Sequence, residues 1–130
     1  MPHLQFELNR KLENEQKIRF ADEVRASYSR VMDTDTGHIA VSIREYDEYN
    51  LTIGRSNSGD HICLMNLDIR EGRSMDERRT LALSFMKIVK DLLGIEERNQ
   101  YLTFTQHPGE DFHLIERYLG NWVPDEKPLV

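Results

Sequence analysis

The chain of 130 residues repeats itself after a shift of 62 positions, which aligns residues 39–45 (IAVSIRE) with 101–107 (YLTFTQH) and 15–17 with 77–79. In each half, apolar residues first alternate at period two, then recur at helical spacing, then alternate again. Alternation is typical of a strand with one buried face, and the longer spacing is typical of an amphipathic helix. Each half is therefore predicted to form a strand–helix–strand unit with two parallel strands.

Two such units side by side predict an α/β (α+β) fold, with a four-stranded, mainly parallel sheet and both helices on one face. We expect one domain over residues 1–130, with the first repeat at about 2–45, the second at about 62–107 and a tail at 108–130. The other face of the sheet is expected to carry apolar side chains that need a cover. A second copy of the protein would supply it, which predicts an oligomer. The alternative is a single ferredoxin-like domain with that face in water.

Local signals place several element ends. Ser74 and Glu77 form a capping box at the start of the second helix, and Gly94 is predicted to end it. We also expect a short strand at 49–53 and a short helix near 110–118. The apolar stripes of the two helices are predicted to be Ile18, Ala21, Val24, Tyr28 and Val31 in the first, and Leu81, Phe85, Ile88 and Leu92 in the second.

Composition excludes several functions. Seventeen Lys and Arg against 23 Asp and Glu give a net charge of −6, which argues against a sequence-independent nucleic-acid binder. No apolar run approaches the roughly 18–20 residues of a membrane span, so no membrane partner is expected. The lone Cys63 fits a buried thiol in a reducing, cytoplasmic compartment. The histidines lack zinc-site spacing and no cofactor fingerprint occurs, so neither a metal nor a cofactor is expected.

Pro2 is the first candidate for chemistry. If Met1 is removed, Pro2 becomes a free secondary amine, and a model α-amino group titrates at about 7.7–8.0. Burial in an apolar pocket beside cations would lower this pKa, because both disfavour the ammonium form. An amine tuned near neutrality can act as a general base or acid. The alternative is that Pro2 has no chemical role, since proline at position two is common.

Arg70 and Arg73 are the second candidate. They flank Gly72 where a strand end meets a helix start, and unpaired amides at such a start favour an anion. Both guanidinium groups can reach one carboxylate, for which arginine is suited because it donates two parallel hydrogen bonds. The alternative is a pair of exposed arginines that contact Glu71 or Asp76.

These two candidates together resemble the tautomerase superfamily. The resemblance rests on Pro2 beside Met1, the doubled strand–helix–strand unit and the Glu-Gly-Arg-Ser turn at 71–74. Residues 63–107 resemble one small subunit of a 4-oxalocrotonate tautomerase. The order of Gly59-Asp60, Ile62 and 70–74 is similar to that in the cis-3-chloroacrylic acid dehalogenases. The resemblance covers the chain from Pro2 to about Tyr118 and implies a homotrimer without a cofactor.

The resemblance also implies roles for single residues. Pro2 matches the catalytic amino-terminal proline, and Arg70 and Arg73 match an arginine pair that binds the carboxylate of a small anionic substrate. Tyr28 stands where the dehalogenases have a substrate-binding histidine, so it is a binding candidate; its place in the helical stripe alternatively makes it a core residue. Thr103 stands where the dehalogenases have a tyrosine that helps to activate water.

A partner glutamate for that tyrosine is matched best by Glu116, with Glu110 as the fallback. Because Thr103 replaces the tyrosine, the resemblance favours a keto–enol tautomerase acting on a 2-oxo or enol acid, with Pro2 as a base. The alternatives are a hydratase or dehalogenase of 3-haloacrylates with Pro2 as an acid, a decarboxylase of malonate semialdehyde, and a non-catalytic trimeric interaction protein.

Overall fold

Two β-α-β units follow one another along the chain, as the internal repeat predicts. A computed structural model describes residues 1–129. Two helices of 19 residues each and four strands make up the regular structure, with short 3₁₀ turns at Glu97–Asn99 and Gly109–Asp111. The elements in chain order are β1 (His3–Leu8), α1 (Asn14–Met32), β2 (Ala40–Glu45), β3 (Cys63–Arg70), α2 (Met75–Leu93) and β4 (Gln100–His107).

The four strands form one sheet in the order β2-β1-β3-β4. Within each repeat the two strands are parallel, since β1 pairs with β2 and β3 pairs with β4. The two repeats meet in the centre, where β1 and β3 run antiparallel with Phe6 opposite Met65. The prediction of a mainly parallel four-stranded sheet is confirmed, and the antiparallel central pair joins its two halves.

The core lies between the sheet and the two helices. Phe6 of β1 contacts Phe20 of α1 edge to face at 4.7 Å and Phe85 of α2 at 5.8 Å between ring centroids. All three rings are fully buried, and burying one such side chain contributes about 1.5–3 kcal/mol. Cys63 is also buried, and its burial raises the pKa of the thiol to about 12. The alternating residues of the central strands complete this core: Leu4, Leu8, Met65, Leu67 and Ile69.

Both helices begin and end with capping residues. The Ser74 side chain accepts from the Glu77 amide while the Glu77 carboxylate accepts from the Ser74 amide, and Gly94 ends α2 in the left-handed conformation, as predicted.

The predicted apolar stripe of α1 is wrong at Ile18, which is 64% exposed, because Phe20 faces the sheet instead. Residues two positions apart on a helix are separated by about 200° of rotation, so Ile18 and Phe20 cannot both face the core. Within residues 1–129, no helix is long and apolar enough to cross a membrane.

The open face of the sheet is polar, so the prediction of an apolar face is wrong. The strand residues between the core positions point to this face, and on the central strands they include Gln5, Asn66 and Asp68. The Gln5 amide donates to Asp68 at 2.6 Å, and the Asn66 amide donates to the hydroxyls of Thr103 at 2.9 Å and Thr105 at 3.0 Å. Because alternation sends most of the apolar residues to the helices, with Leu64 and Tyr101 as exceptions, a hydrogen-bonded network remains on the other side.

Two predicted elements are absent from the described chain. Residues 49–53 form no strand but belong to a loop that the buried Asn9 holds, its amide donating to the Glu48 carbonyl at 2.7 Å and the Asp60 carbonyl at 2.9 Å. A side chain that bonds two loop carbonyls removes the need for a strand partner. Residues 110–118 form no α-helix; they contain the end of a 3₁₀ turn and one antiparallel bridge.

Candidate active site

The antiparallel pairing of the two central strands brings the chain start to the arginine loop. His3 at the start of β1 lies opposite Asp68 near the end of β3, and Arg70 ends that strand two residues later. Pro2 is buried immediately before β1, and its carbonyl accepts from the Ala40 amide at 3.0 Å. These backbone hydrogen bonds hold Pro2 at the same edge of the sheet as the predicted arginine pair.

The amino terminus of the chain is buried among charged groups. Burial, followed by the charges of Arg70 and Arg73, lowers the pKa of the Met1 amino group to about 5, against the opposing charges of Glu126 and Asp35. Desolvation and nearby cations both disfavour an ammonium ion. At neutral pH this terminus is therefore an uncharged amine with a free lone pair.

Arg70 is held in an ion pair with the C-terminal tail. Its side chain is 1% exposed, and its two terminal nitrogens donate to the two carboxylate oxygens of Glu126 at 2.7 Å each. One of these nitrogens also donates to the Gly120 carbonyl at 2.9 Å. The hydrogen bonds from Arg70 hold the pKa of the Glu126 carboxyl below its usual range, so the pair stays charged.

Arg73 is buried between the end of α1 and Trp122 of the tail. It is 5% exposed, and its Nε and Nη2 donate to the Met32 carbonyl at 3.3 and 2.9 Å. Its guanidinium carbon lies 4.5 Å from the ring centroid of Trp122, a cation–π contact. Burial lowers the pKa of Arg73 from its usual value, and the neighbouring charge of Arg70 adds to this. Arginine remains protonated in proteins nonetheless, so Arg73 provides a second buried cation.

Each arginine keeps one buried N–H group without a partner. Among the described residues, Arg70 Nε and Arg73 Nη1 are buried and make no hydrogen bond. A buried donor left unpaired costs about 1–3 kcal/mol, and more for a charged group. The arrangement therefore favours an anion with at least one free acceptor oxygen, and a carboxylate matches the planar geometry of guanidinium donors.

Gly72 makes the close approach of the tail to this loop feasible. Its φ is +130°, and a Cβ atom added there would lie 2.2 Å from the carbonyl oxygen of Trp122. The Trp122 amide donates to the Glu71 carbonyl at 2.9 Å, and its indole donates to the Asp33 carbonyl at 3.2 Å. Only glycine suits this conformation and this contact, so Gly72 is needed to seat the tail on the arginine pair.

Substituting Gly72→Ala is expected to displace the tail and to destabilise the fold by about 2–4 kcal/mol, since a strained φ and a backbone collision act together. Trp122 is the single tryptophan of the chain and 7% exposed, so its emission should shift to the red as it enters water. Urea unfolding and tryptophan fluorescence measure both effects. Gly54→Ala is the matched control, because nothing lies within 4 Å of a Cβ there. Equal behaviour of the two variants would contradict the proposed seating of the tail.

Tyr28 is both a core residue and a neighbour of the arginine pair. It is 1% exposed on α1, and its ring centroid lies 6.0 Å from the guanidinium carbon of Arg73. Burial raises the pKa of its hydroxyl to about 12, against the opposing charges of Arg73 and Arg70. Tyr28 therefore stays protonated at neutral pH and can donate a hydrogen bond.

The structure does not bring the other predicted residues to this cluster within one chain. Thr103 is exposed on the open face of the sheet. It pairs with Asn66, which lies four residues before Arg70 on β3. Glu116 is exposed in the tail, and Glu110 is exposed in the 3₁₀ turn after Pro108. Their roles in activating water stay predictions.

Glu126 and Trp122 belong to the site, but sequence reasoning missed them. Both lie in the tail, where no periodicity predicts a position, and Glu126 reaches Arg70 across 56 residues of chain. The one available signal was composition, because the single tryptophan of the chain is a large apolar side chain that is mostly buried in folded proteins.

Other features of the described chain lie away from this cluster. A cavity of about 260 Å³ occupies the loop that contains residues 48–62, near Asn9, at the far end of β1 from Pro2. It is lined mainly by polar loop residues and carries no buried charged pair. Within residues 1–129, no three His, Cys, Asp or Glu side chains lie close enough to hold a metal ion.

No protein-family model and no curated protein matches this sequence. Solved structures do match its fold. A fused 4-OT described as a symmetric trimer superposes with a TM-score of 0.80 at 14% identity, over 90% of this chain and 94% of the other. A member of the cis-3-chloroacrylic acid dehalogenase (cis-CaaD) family superposes with a TM-score of 0.78 at 16% identity, over 92% and 84%.

A third solved structure belongs to a protein described as macrophage migration inhibitory factor-like. This protein, from Entamoeba histolytica, superposes with a TM-score of 0.76 at 19% identity, over 91% of this chain and 98% of the other. The superpositions include both β-α-β units, since they span about nine-tenths of the chain. The resemblance stated from the Glu-Gly-Arg-Ser turn is thus confirmed for the fold, which this chain shares with the fused 4-OT and with the member of the cis-CaaD family.

Proposed function

We propose that this protein is an amino-terminal-proline tautomerase that interconverts the enol and keto forms of a small 2-oxo acid. The observation that carries the proposal is a buried amino terminus, its pKa lowered to about 5, beside two buried arginines with unpaired N–H groups. An uncharged amine and a carboxylate site close to it are the two parts that this proton transfer needs.

Removal of Met1 is part of the proposal. While Met1 is present, the Pro2 nitrogen is a tertiary amide and has no basicity. Once Met1 is removed, Pro2 carries the free amine at the same buried edge of the sheet. The causes that lower the pKa of the terminus, burial and the charges of Arg70 and Arg73, act on that amine in the same direction.

The proposed reaction needs no co-reactant. The substrate carboxylate accepts from Arg73 Nη1 and Arg70 Nε, the two donors that are free in the chain alone. The Pro2 nitrogen takes the proton of the enol hydroxyl, and the electrons of the O–H bond form the carbonyl. The electrons of the carbon–carbon double bond then take a proton from the Pro2 ammonium, which forms the new C–H bond at carbon 3 and restores the neutral amine. Arg73 and the Tyr28 hydroxyl stabilise the negative charge on the oxygen during the transfer.

We also propose a homotrimer. The support is the superposition on a fused 4-OT described as a symmetric trimer, together with the open face of the sheet. That face offers hydrogen-bonding side chains rather than the apolar surface expected from the sequence, so a partner would need polar groups of its own.

The pH dependence of kcat/KM tests the role of Pro2. A base acts while it is unprotonated, so activity should stay level from about pH 8 through neutrality. It should fall at lower pH through one protonation, because the pKa of the buried amine is lowered. The measurement is the initial rate of ketonisation of an enol 2-oxo acid across this range. A fall on the alkaline side instead would mean that the ammonium acts as an acid, which overturns the tautomerase proposal and favours hydration of 3-haloacrylates.

A further inference from the structure

We propose that Glu126 is a specificity-determining residue: a carboxylate of the chain itself that occupies one side of the arginine pair, so that the site accepts small monocarboxylates and rejects dicarboxylates. The inference rests on the proposed carboxylate site and goes beyond it, because it names the charge of the substrate. It starts from the ion pair between Glu126 and Arg70. Both carboxylate oxygens of Glu126 lie 2.7 Å from guanidinium nitrogens of Arg70.

The tail is fixed on both sides of Glu126. Before it, Trp122 bonds to the Glu71 carbonyl and stacks on Arg73 at 4.5 Å. After it, the Leu129 amide donates to the Asp35 carboxylate at 2.9 Å. A segment anchored at both ends loses little further freedom when its side chain is held, so Glu126 is held in place beside Arg70.

A second glycine helps to seat the same tail. A Cβ atom added to Gly109 would lie 1.9 Å from the backbone carbon of Gly120, whose carbonyl accepts from Arg70. The Gly109 amide donates to the Asn121 side chain at 2.7 Å. Two glycines at 72 and 109 thus let the tail pack backbone against backbone beside the arginine pair.

The ion pair between Glu126 and Arg70 sets the net charge around the arginine pair. Glu126 neutralises one of the two guanidinium charges, and Arg70 Nε and Arg73 Nη1 remain as buried donors without a partner. These donors suit one carboxylate. A second carboxylate on the same ligand would have no free cation of this pair to meet.

The neighbouring cavity disfavours a second negative charge. A space of about 150 Å³ beside Glu126 is lined by residues 33–35 of the loop after α1 and by residues 126–128. The carboxylate of Glu126 is paired with Arg70, so the lining charges that remain are the carboxylates of Asp33 and Asp35 and the single cation of Lys127. Like charges at short range repel in a partly buried site, so the distal carboxylate of a diacid would be rejected here.

Two five-carbon acids that differ by one carboxylate test the inference. The dissociation constants of 2-oxopentanoate and 2-oxopentanedioate are measured by titration calorimetry with the wild-type chain and with Glu126→Gln. We expect the wild-type chain to bind the monoacid at least about tenfold more tightly, and the variant to bind the diacid about tenfold more tightly than the wild-type chain does. Asp125→Asn is the matched control, since Asp125 is exposed, adjacent, and at a φ of +61° that asparagine tolerates.

Each outcome decides between the alternatives. Equal affinities for the two acids in the wild-type chain, or no binding of either, would overturn the inference even if Glu126→Gln failed to fold. A rise in acrylamide quenching of Trp122 on saturation with the monoacid would also overturn it, because the tail would then leave the pocket. Selective binding without turnover of any enol acid would overturn the tautomerase proposal and leave this inference standing.

Discussion

Replacing Arg73 with glutamine should raise the dissociation constant of a 2-oxo monocarboxylate by roughly 10- to 150-fold, the equivalent of a lost charged hydrogen bond of about 1.5–3 kcal/mol. Arg73 is the buried cation of the pair that Glu126 does not neutralise, and its Nη1 has no partner among the described residues. Without it, the substrate carboxylate would enter a pocket whose remaining guanidinium is already paired.

The methyl ester of the same acid separates binding from folding. The ester carries no negative charge and cannot form an ion pair, so its affinity should fall much less than that of the acid in Arg73→Gln. Arg79→Gln is the matched control, because Arg79 is exposed on α2 and its loss changes the net charge equally. Equal losses for acid and ester would mean that Arg73 only supports the fold, through the Met32 carbonyl and the Trp122 ring. Unchanged affinity for the acid would contradict the carboxylate site.

The fold was predictable from local patterns because each repeat contains the residue spacing and the capping residues that define its own strands and helix. Period-two alternation identified all four strands, and the capping box at Ser74 with the stop at Gly94 identified α2. The stripe of α1 failed at Ile18 because apolar spacing alone cannot tell which of two residues packs against Phe6. That choice depends on the sheet, which is a long-range contact.

The open face of the sheet shows a second limit of sequence reasoning. The sequence predicted that the face away from the helices also carries apolar side chains, whereas the register sends nearly all of the apolar strand residues to the helices. Gln5, Asn66 and Asp68 are polar in sequence but become informative only once the pairing joins them in a network. An argument for oligomers from an apolar face therefore fails.

The candidate site was predictable in part. Arg70 and Arg73 stand three residues apart around Gly72, so a local turn brings them together. Their closeness to the chain start depends on the antiparallel pairing of β1 with β3, which the repeat does not specify. Glu126 could not be predicted, because an irregular tail places it and nothing in its neighbourhood is periodic.

Retaining Met1 is expected to reduce kcat by at least about 100-fold, the lower end of what a general base contributes. The amide nitrogen of Pro2 cannot accept a proton in that form. The Met1 amine is itself buried and its pKa is lowered to about 5, but it belongs to the residue before Pro2, and this displacement is enough to lose most of the rate. Binding of the substrate carboxylate should persist, since the arginines are unchanged.

Two preparations of the wild-type chain provide the comparison. One is made with methionine aminopeptidase active and the other with that enzyme inhibited, and intact mass assigns each as beginning at Pro2 or at Met1. Thermal unfolding of both serves as the control for folding. The chain that begins at Pro2 differs from the other only by the group that the proposal makes catalytic.

The most direct test of the account is therefore the ratio of kcat for enol-acid ketonisation between these two preparations at neutral pH. A Pro2 base predicts a ratio of at least about 100 in favour of the chain that begins at Pro2. Equal rates in two folded preparations would contradict the central claim that the Pro2 nitrogen carries the reaction.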